Sequence, residues 1–236
     1  TILWSLQLYK LASPTFLNKY PLVSSAATDR NPKISPCLFS QSTPLSNKIR
    51  SFILVTMPKD YTVGKTSVFW DVVDFPVPEG RGIREIVESA LRRMGYKGEV
   101  SITVYGDKDP FSPEETAKGR FTFVERSKKY WRLNKMLVDI GWWSMETPEP
   151  HYNPANVVVV AKNIKEDTEF VYFLSDLHCS NFNVLLVVPD DCEPEELPLP
   201  TVNLAWYWKS FVQGGEPMPR TELKALKARG KPRLVL

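Results

Sequence analysis

The sequence has few of the side chains that bind structural metals or form disulfides. Its 236 residues include only three cysteines and two histidines, namely Cys37, Cys179, Cys192, His151 and His178. Their spacing matches no zinc-binding pattern, and three unrelated cysteines do not make a disulfide framework. His178 and Cys179 are adjacent, so they cannot share a helix face as a nucleophile and its base would. We therefore expect no zinc site and a reducing compartment.

The sequence also lacks long apolar runs, and its two ends contain almost no acids. No apolar run reaches the roughly 20 residues that cross a bilayer, so we expect no membrane partner. Residues 1–56 contain six Lys or Arg and one Asp, and residues 220–236 contain six and one Glu. Residues 57–219 instead contain 18 Lys or Arg and 25 Asp or Glu. A polyanion would be attracted to the ends and repelled by the middle, unless divalent cations neutralise the middle.

Residues 1–60 have the composition of a leader rather than of a folded domain. Residues 1–56 contain nine serines, scattered prolines and no sustained periodicity. This composition is typical of an organellar transit segment, and the apolar start has some character of a signal peptide. Alternatively, because the first methionine is Met57, the segment is translated upstream sequence without a role. We exclude it from the predicted fold and leave the intracellular location open.

Acidic residues follow two predicted buried strands. Residues 66–72 are rich in β-branched and aromatic side chains and end before two prolines, and residues 156–161 form a second continuous apolar run. The carboxyl ends of parallel strands face the crevice in which ligands bind. Asp71 lies at the end of the first strand and Asp74 follows it, whereas Asp167 and Glu169 follow the second strand. These acids predict one shared acidic pocket, able to hold a cation or polarise a water.

The remaining pattern alternates helices with strands. Helical spacing is found over residues 83–94, 129–143 and from 167, and further strands are predicted over residues 98–107, 121–124 and 182–188. The order β-α-β-β-α-β-α-β predicts an α/β fold of three layers, with a mostly parallel sheet of about five strands. Residues 191–236 are predicted to be a Pro-rich linker, an aromatic helix over 202–213 and a mobile basic tail.

Two further acids are candidates for the pocket, and several candidates have a simpler interpretation. Asp107 ends the second strand, and Asp139 lies in the helix over residues 129–143. Asp107 also fits an ordinary turn, and Asp139 could equally face water. Asp167 and Glu169 fit the acidic first turn of a helix, which the backbone dipole favours. The arginines of the first helix, Arg84, Arg92 and Arg93, fit a solvated surface.

Five segments in chain order resemble the NYN domain, a PIN-like ribonuclease fold. They are FWDVVDFPVP, ALRRMGYKGEVSITVYGD, LNKMLVDIGWW, EDTEF and NVLLVVPD. The resemblance covers about residues 65–190, and it is closest to plant proteins related to the meiosis regulator and mRNA stability factor, or limkain-type, group. WYWKSFVQGGEP is similar to an extension of some plant members. The peroxisome is a further location that the family suggests.

The resemblance implies hydrolysis of RNA phosphodiesters by a metal-dependent endoribonuclease that uses Mg²⁺ or Mn²⁺. Asp71 and Asp167 match the catalytic acids of the family, Glu169 stands in place of its usual Asp or Asn, and Asp74 stands where Asn is usual. The candidate metal ligands are Asp71, Asp74, Asp107, Asp139, Asp167 and Glu169. The candidate RNA-binding residues are Arg84, Arg92, Arg93, Lys162 and Lys165. Val73 stands where Glu is common, and Leu133 or Asn134 stands where a further acid is usual. The alternatives are a degenerate NYN module that binds RNA or a protein partner without cleavage, and other phosphoryl chemistry.

The implied partner is single-stranded RNA. No second RNA-binding domain is visible in the sequence, so a homo-oligomer or another protein would supply any selection of particular transcripts.

Overall fold

The computed structural model describes residues 60–147, 153–164, 168–192 and 201–229. Within these ranges the strands are β1 (Lys65–Asp71), β2 (Val100–Gly106), β3 (Thr122–Glu125), β4 (Ala155–Val160), β5 (Asn183–Val188) and β6 (Leu204–Tyr207). The helices are α1 (Ile83–Arg93), α2 (Pro113–Gly119), α3 (Lys129–Glu146), α4 (Thr168–Cys179), α5 (Trp208–Val212) and α6 (Arg220–Arg229). A short 3₁₀ turn, Tyr61–Val63, precedes β1.

The described strands form one parallel sheet in the order β3-β2-β1-β4-β5-β6. The chain adds β2 and β3 on one side of β1, and then returns to add β4, β5 and β6 on the other side. The strand order therefore reverses between β1 and β4. In open parallel sheets, ligands bind beyond the carboxyl ends of the strands at this reversal point.

Helices cover both faces of the sheet, because the central strands are apolar on both sides. Val68 and Trp70 of β1 pack on the layer that contains α1 and Phe211 of α5. Phe69, from the same strand, packs on the opposite layer, which contains α3, α4 and Leu223 of α6. Alternate side chains of a strand point to opposite faces, so each strand contributes to two cores. The predicted three-layer α/β architecture is confirmed, with six strands instead of about five.

The prediction of one aromatic helix over residues 202–213 is wrong. Residues 204–207 form β6, which pairs with β5, and only residues 208–212 are helical. Ala205 and Trp206 are fully buried, and β-branched and aromatic side chains fit a pleated sheet as well as they fit a helix. The sheet therefore continues beyond residue 190, where the predicted domain ended.

The prediction of a wholly mobile basic tail is also wrong. Residues 220–229 form α6, and its Leu223 is buried in the core beside Ala205. The predictions for residues 1–59, for the linker residues 193–200 and for residues 230–236 lie outside the described residues. In the part of the chain that is described, no helix is both long enough and apolar enough to cross a membrane.

Candidate functional site

Asp71 is the last residue of β1 and lies beside the reversal point of the sheet. Its side chain is 0% exposed. Oδ1 accepts hydrogen bonds from the main-chain N–H of Val73 at 3.0 Å and of Asp74 at 3.4 Å. Carboxylates that accept two backbone N–H groups in this way fix the turn that follows the strand. Asp71 is therefore part of the fold as well as a candidate functional residue.

Two basic side chains from the first turn of α3 neutralise Asp71. Arg132 Nε donates to Asp71 Oδ2 at 2.8 Å, and Lys129 Nζ lies 3.6 Å from the same oxygen. The Arg132 side chain is only 4% exposed, and its Nη1 also donates to the main-chain carbonyl of Ser127 at 3.0 Å. Breaking a buried ion pair by removing one partner strongly destabilises a protein. Arg132 and Asp71 therefore hold the start of α3 against the end of β1.

Asp74 extends this cluster across the reversal point. Its Oδ2 accepts a hydrogen bond from the main-chain N–H of Lys162 at 2.8 Å and forms an ion pair with Lys129. Lys162 follows β4, and its Nζ lies 5.2 Å from the ring centroid of Phe75. Burial lowers the pKa of Lys129 to about 8, even though the negative charge of Asp71 acts in the opposite direction. Together, Asp71, Asp74, Lys129 and Arg132 form a neutral cluster of two carboxylates and two cations.

Asp139 has partners of its own. The hydroxyl of Tyr105 donates to its Oδ2 at 2.8 Å, and Lys135 forms an ion pair with its Oδ1. Burial, followed by the charge of Asp139, raises the pKa of Tyr105 well above its usual value. Tyr105 consequently stays protonated and remains a hydrogen-bond donor. Asp139 is thus satisfied by a phenol and an ammonium group.

The remaining predicted acids are exposed or lie outside the described residues. Glu169 is exposed in the first turn of α4, and Asp107 is exposed in the loop after β2. Asp167 lies outside the described residues. Among the residues that the structure does describe, no group of three or more Asp, Glu, His or Cys side chains is placed to hold a metal ion. The convergence of Asp71 with Asp167 therefore stays a prediction.

The described residues do not fit a divalent ion at Asp71. An ion bound there would share Asp71 with the guanidinium of Arg132, whose Nε is 2.8 Å from Asp71 Oδ2, and like charges held this close repel each other. Relief of this repulsion would require Arg132 to leave a buried position in which it has two carbonyl acceptors as well as the carboxylate. The cluster already contains the positive charge that an ion would supply.

The predicted RNA-binding residues are dispersed. Arg84 donates to the main-chain carbonyls of Gly119 at 2.7 Å and Arg120 at 2.9 Å, so it connects α1 with the end of α2. Arg92 and Arg93 lie in the last turn of α1, at the opposite end of that helix from Asp71. Lys162 is the member of the set that lies at the cluster. Lys165 lies outside the described residues.

Sequence reasoning missed Lys129 and Arg132. Arg132 lies on the same stripe as Met136 and Ile140, which are spaced four residues apart and buried against the sheet. An arginine on a buried helical stripe needs a carboxylate partner, because an isolated charge is too costly to bury. This spacing was the signal that could have identified a buried cation opposite Asp71.

Comparison with known proteins identifies the family of this chain. No curated protein matches the sequence. A sequence model of the NYN domain matches residues 65–199, which is more than half of the 236 residues. The parallel sheet with helices on both faces is consistent with the PIN-like fold of that domain. The chain therefore belongs to the NYN domain family.

Proposed function

We propose that this NYN domain binds RNA and does not cleave it by metal-dependent hydrolysis. NYN domains generally bind RNA, and membership of the family indicates a PIN-like, nuclease-type function related to RNA. PIN-like nucleases generally use divalent metals. The observation that carries the proposal is the buried ion pair between Asp71 and Arg132, at 2.8 Å.

The charge of the cluster supports this choice between binding and cleavage. A metal-dependent nuclease needs carboxylates that remain free to bind the ion and lower the pKa of its water. Here Asp71 and Asp74 are neutralised by Lys129 and Arg132, and Asp139 by Lys135. Positive side chains at these carboxylates remove the electrostatic reason for an ion to bind. They do not prevent contacts with phosphate, which basic residues of the same helix can make.

The test compares the wild-type chain with Asp71→Asn on labelled single-stranded RNA, with Mn²⁺ or Mg²⁺ present. We expect both proteins to bind the RNA in a fluorescence anisotropy assay. We also expect the wild type to produce no more cleavage than the variant, which controls for nuclease contamination from the same purification. Circular dichroism establishes that the variant is folded.

Cleavage by the wild type that requires Mn²⁺ and is lost in Asp71→Asn would overturn the proposal. That outcome would favour the predicted endoribonuclease, in which Asp167 and Asp71 share an ion and Arg132 moves away. Isothermal titration calorimetry gives an independent measurement, in which we expect no uptake of Mn²⁺. The narrower resemblance to plant limkain-type proteins, and a homo-oligomer or protein partner that selects transcripts, stay predictions.

A further inference from the structure

Two large aromatic side chains are exposed in the first turn of α3. Tyr130 is 57% exposed and Trp131 is 51% exposed. Their ring centroids are 5.2 Å apart, and the ring planes meet at 70°. We call them the Tyr130–Trp131 pair. In sequence the pair lies between Lys129 and Arg132, the two basic residues whose side chains contact Asp71, and its own side chains are exposed to solvent.

The chain around this pair is strongly basic. Residues 126–135 contain five Lys or Arg and no Asp or Glu. Lys129, Arg132 and Lys135 are ion-paired with carboxylates of the cluster and with Asp139. Arg126 and Lys128 are exposed immediately before the aromatic pair, with one acid, Glu125, preceding them. Exposed aromatic rings with adjacent exposed cations complement the bases and phosphates of a nucleic acid.

We propose that the Tyr130–Trp131 pair is a stacking platform for unpaired bases of single-stranded RNA, with Arg126 and Lys128 contacting the flanking phosphates. This inference rests on the proposed RNA-binding function and specifies its contact surface. Single-stranded RNA exposes the faces of its bases, whereas a duplex keeps those faces stacked inside. The rings meet at a steep angle, so each offers its own outer face to a base. The exposed cations Arg126 and Lys128 beside the rings favour a polyanion as the partner.

The experiment measures binding of a labelled oligouridine by fluorescence anisotropy. Stacking on one aromatic ring contributes about 1–3 kcal/mol per base, which corresponds to about a 5-fold to 150-fold change in affinity. We expect Trp131→Ala and Tyr130→Ala each to weaken binding at least about 5-fold. Trp131→Phe retains a ring and should recover most of the affinity. Trp142→Ala is the matched control, because Trp142 is 41% exposed on the same helix but three turns from the pair.

An abasic oligomer with the same number of phosphates separates stacking from charge. On this oligomer we expect Trp131→Ala and the wild type to bind with equal affinity. Equal affinity of Trp131→Ala and wild type for oligouridine would overturn the platform, and so would an equal loss on the abasic oligomer. In either case the proposed RNA binding would still stand. A wild-type chain that binds no RNA would overturn both proposals.

Discussion

Replacement of Arg132 by methionine tests whether a protein cation, and not a bound ion, neutralises Asp71. The substitution retains a long apolar side chain on the buried stripe of α3 but removes the guanidinium 2.8 Å from Asp71 Oδ2. Asp71 is then left fully buried, with Lys129 Nζ at 3.6 Å as its remaining cation. Breaking a buried pair in this way costs about 3–5 kcal/mol. We expect Arg132→Met to lower the free energy of unfolding by that amount.

The matched control is Arg93→Met, which removes an arginine from an exposed ion pair. Arg93 Nε lies 2.9 Å from Glu216 Oε1, and the two side chains are 54% and 67% exposed. Exposed pairs contribute about 0–1 kcal/mol. Urea denaturation monitored by circular dichroism measures both free energies. In thermal denaturation, Arg132→Met should lower Tm by about 6–20 °C, whereas Arg93→Met should change it by only a few degrees.

Two results would refute the reasoning. The first is an Arg132→Met chain that is as stable as the wild type without added metal. The second is an increase in the Tm of the wild type on addition of Mn²⁺, because a ligand that binds only the folded state stabilises it. Addition of Mn²⁺ to Arg132→Met is informative in a different way. Stabilisation of the variant alone would show that removal of the guanidinium creates a cation site at Asp71.

Three further predictions concern other parts of the fold and site. Burial lowers the pKa of Lys129 from 10.5 to about 8. Between these two pH values the ammonium group of Lys129 loses its proton in the folded state but keeps it in the unfolded state. The wild type should thus gain stability relative to Lys129→Met as the pH rises from 8 to 10.5, and a pH-independent difference in urea denaturation would contradict this. Trp206→Ala should lower the free energy of unfolding by about 3–5 kcal/mol in the same assay, because Trp206 of β6 is fully buried beside Phe211. A negligible decrease would show that β6 does not unfold together with the rest of the sheet. The affinity for RNA falls as the salt concentration rises, and Lys128→Ala should make this fall less steep by about 0.7 in the slope of log affinity against log salt concentration. An unchanged slope would argue against a contact between Lys128 and a phosphate.

Local sequence patterns predicted five of the six described strands and the long helices. Residues 66–72 and 156–161 were predicted as strands because continuous β-branched and aromatic runs bury both faces, and the structure has β1 and β4 there. The stripe of Leu133, Met136 and Ile140 likewise predicted α3. β6 was not recognised, because Trp206 and its neighbours are compatible with both periodicities over so short a segment. Pairing with β5, a long-range contact, determines the strand.

The charged partners in the site could not be predicted from local patterns. The sequence placed Asp71 at the carboxyl end of a strand, and the structure agrees. Its partner Arg132 is 61 residues away, and the pair forms only because β1 and the start of α3 meet at the same edge of the sheet. An arginine on the apolar stripe of α3 indicates a buried cation that needs a carboxylate partner, and this signal points to the pair more directly than the acids at the strand ends do.

The ion pair between Asp71 and Arg132 also connects the cluster with the Tyr130–Trp131 pair. Arg132 directly follows Trp131, and its contacts with Asp71 and with the carbonyl of Ser127 hold the first turn of α3 in place. Loss of this turn would increase the mobility of the two rings, and an ordered aromatic surface binds at a lower entropic cost than a mobile one. A loss of RNA affinity in Asp71→Asn would therefore not identify Asp71 as a catalytic residue. Cleavage measured at saturating RNA distinguishes the two roles, because saturation compensates for weakened binding but not for a missing catalytic group.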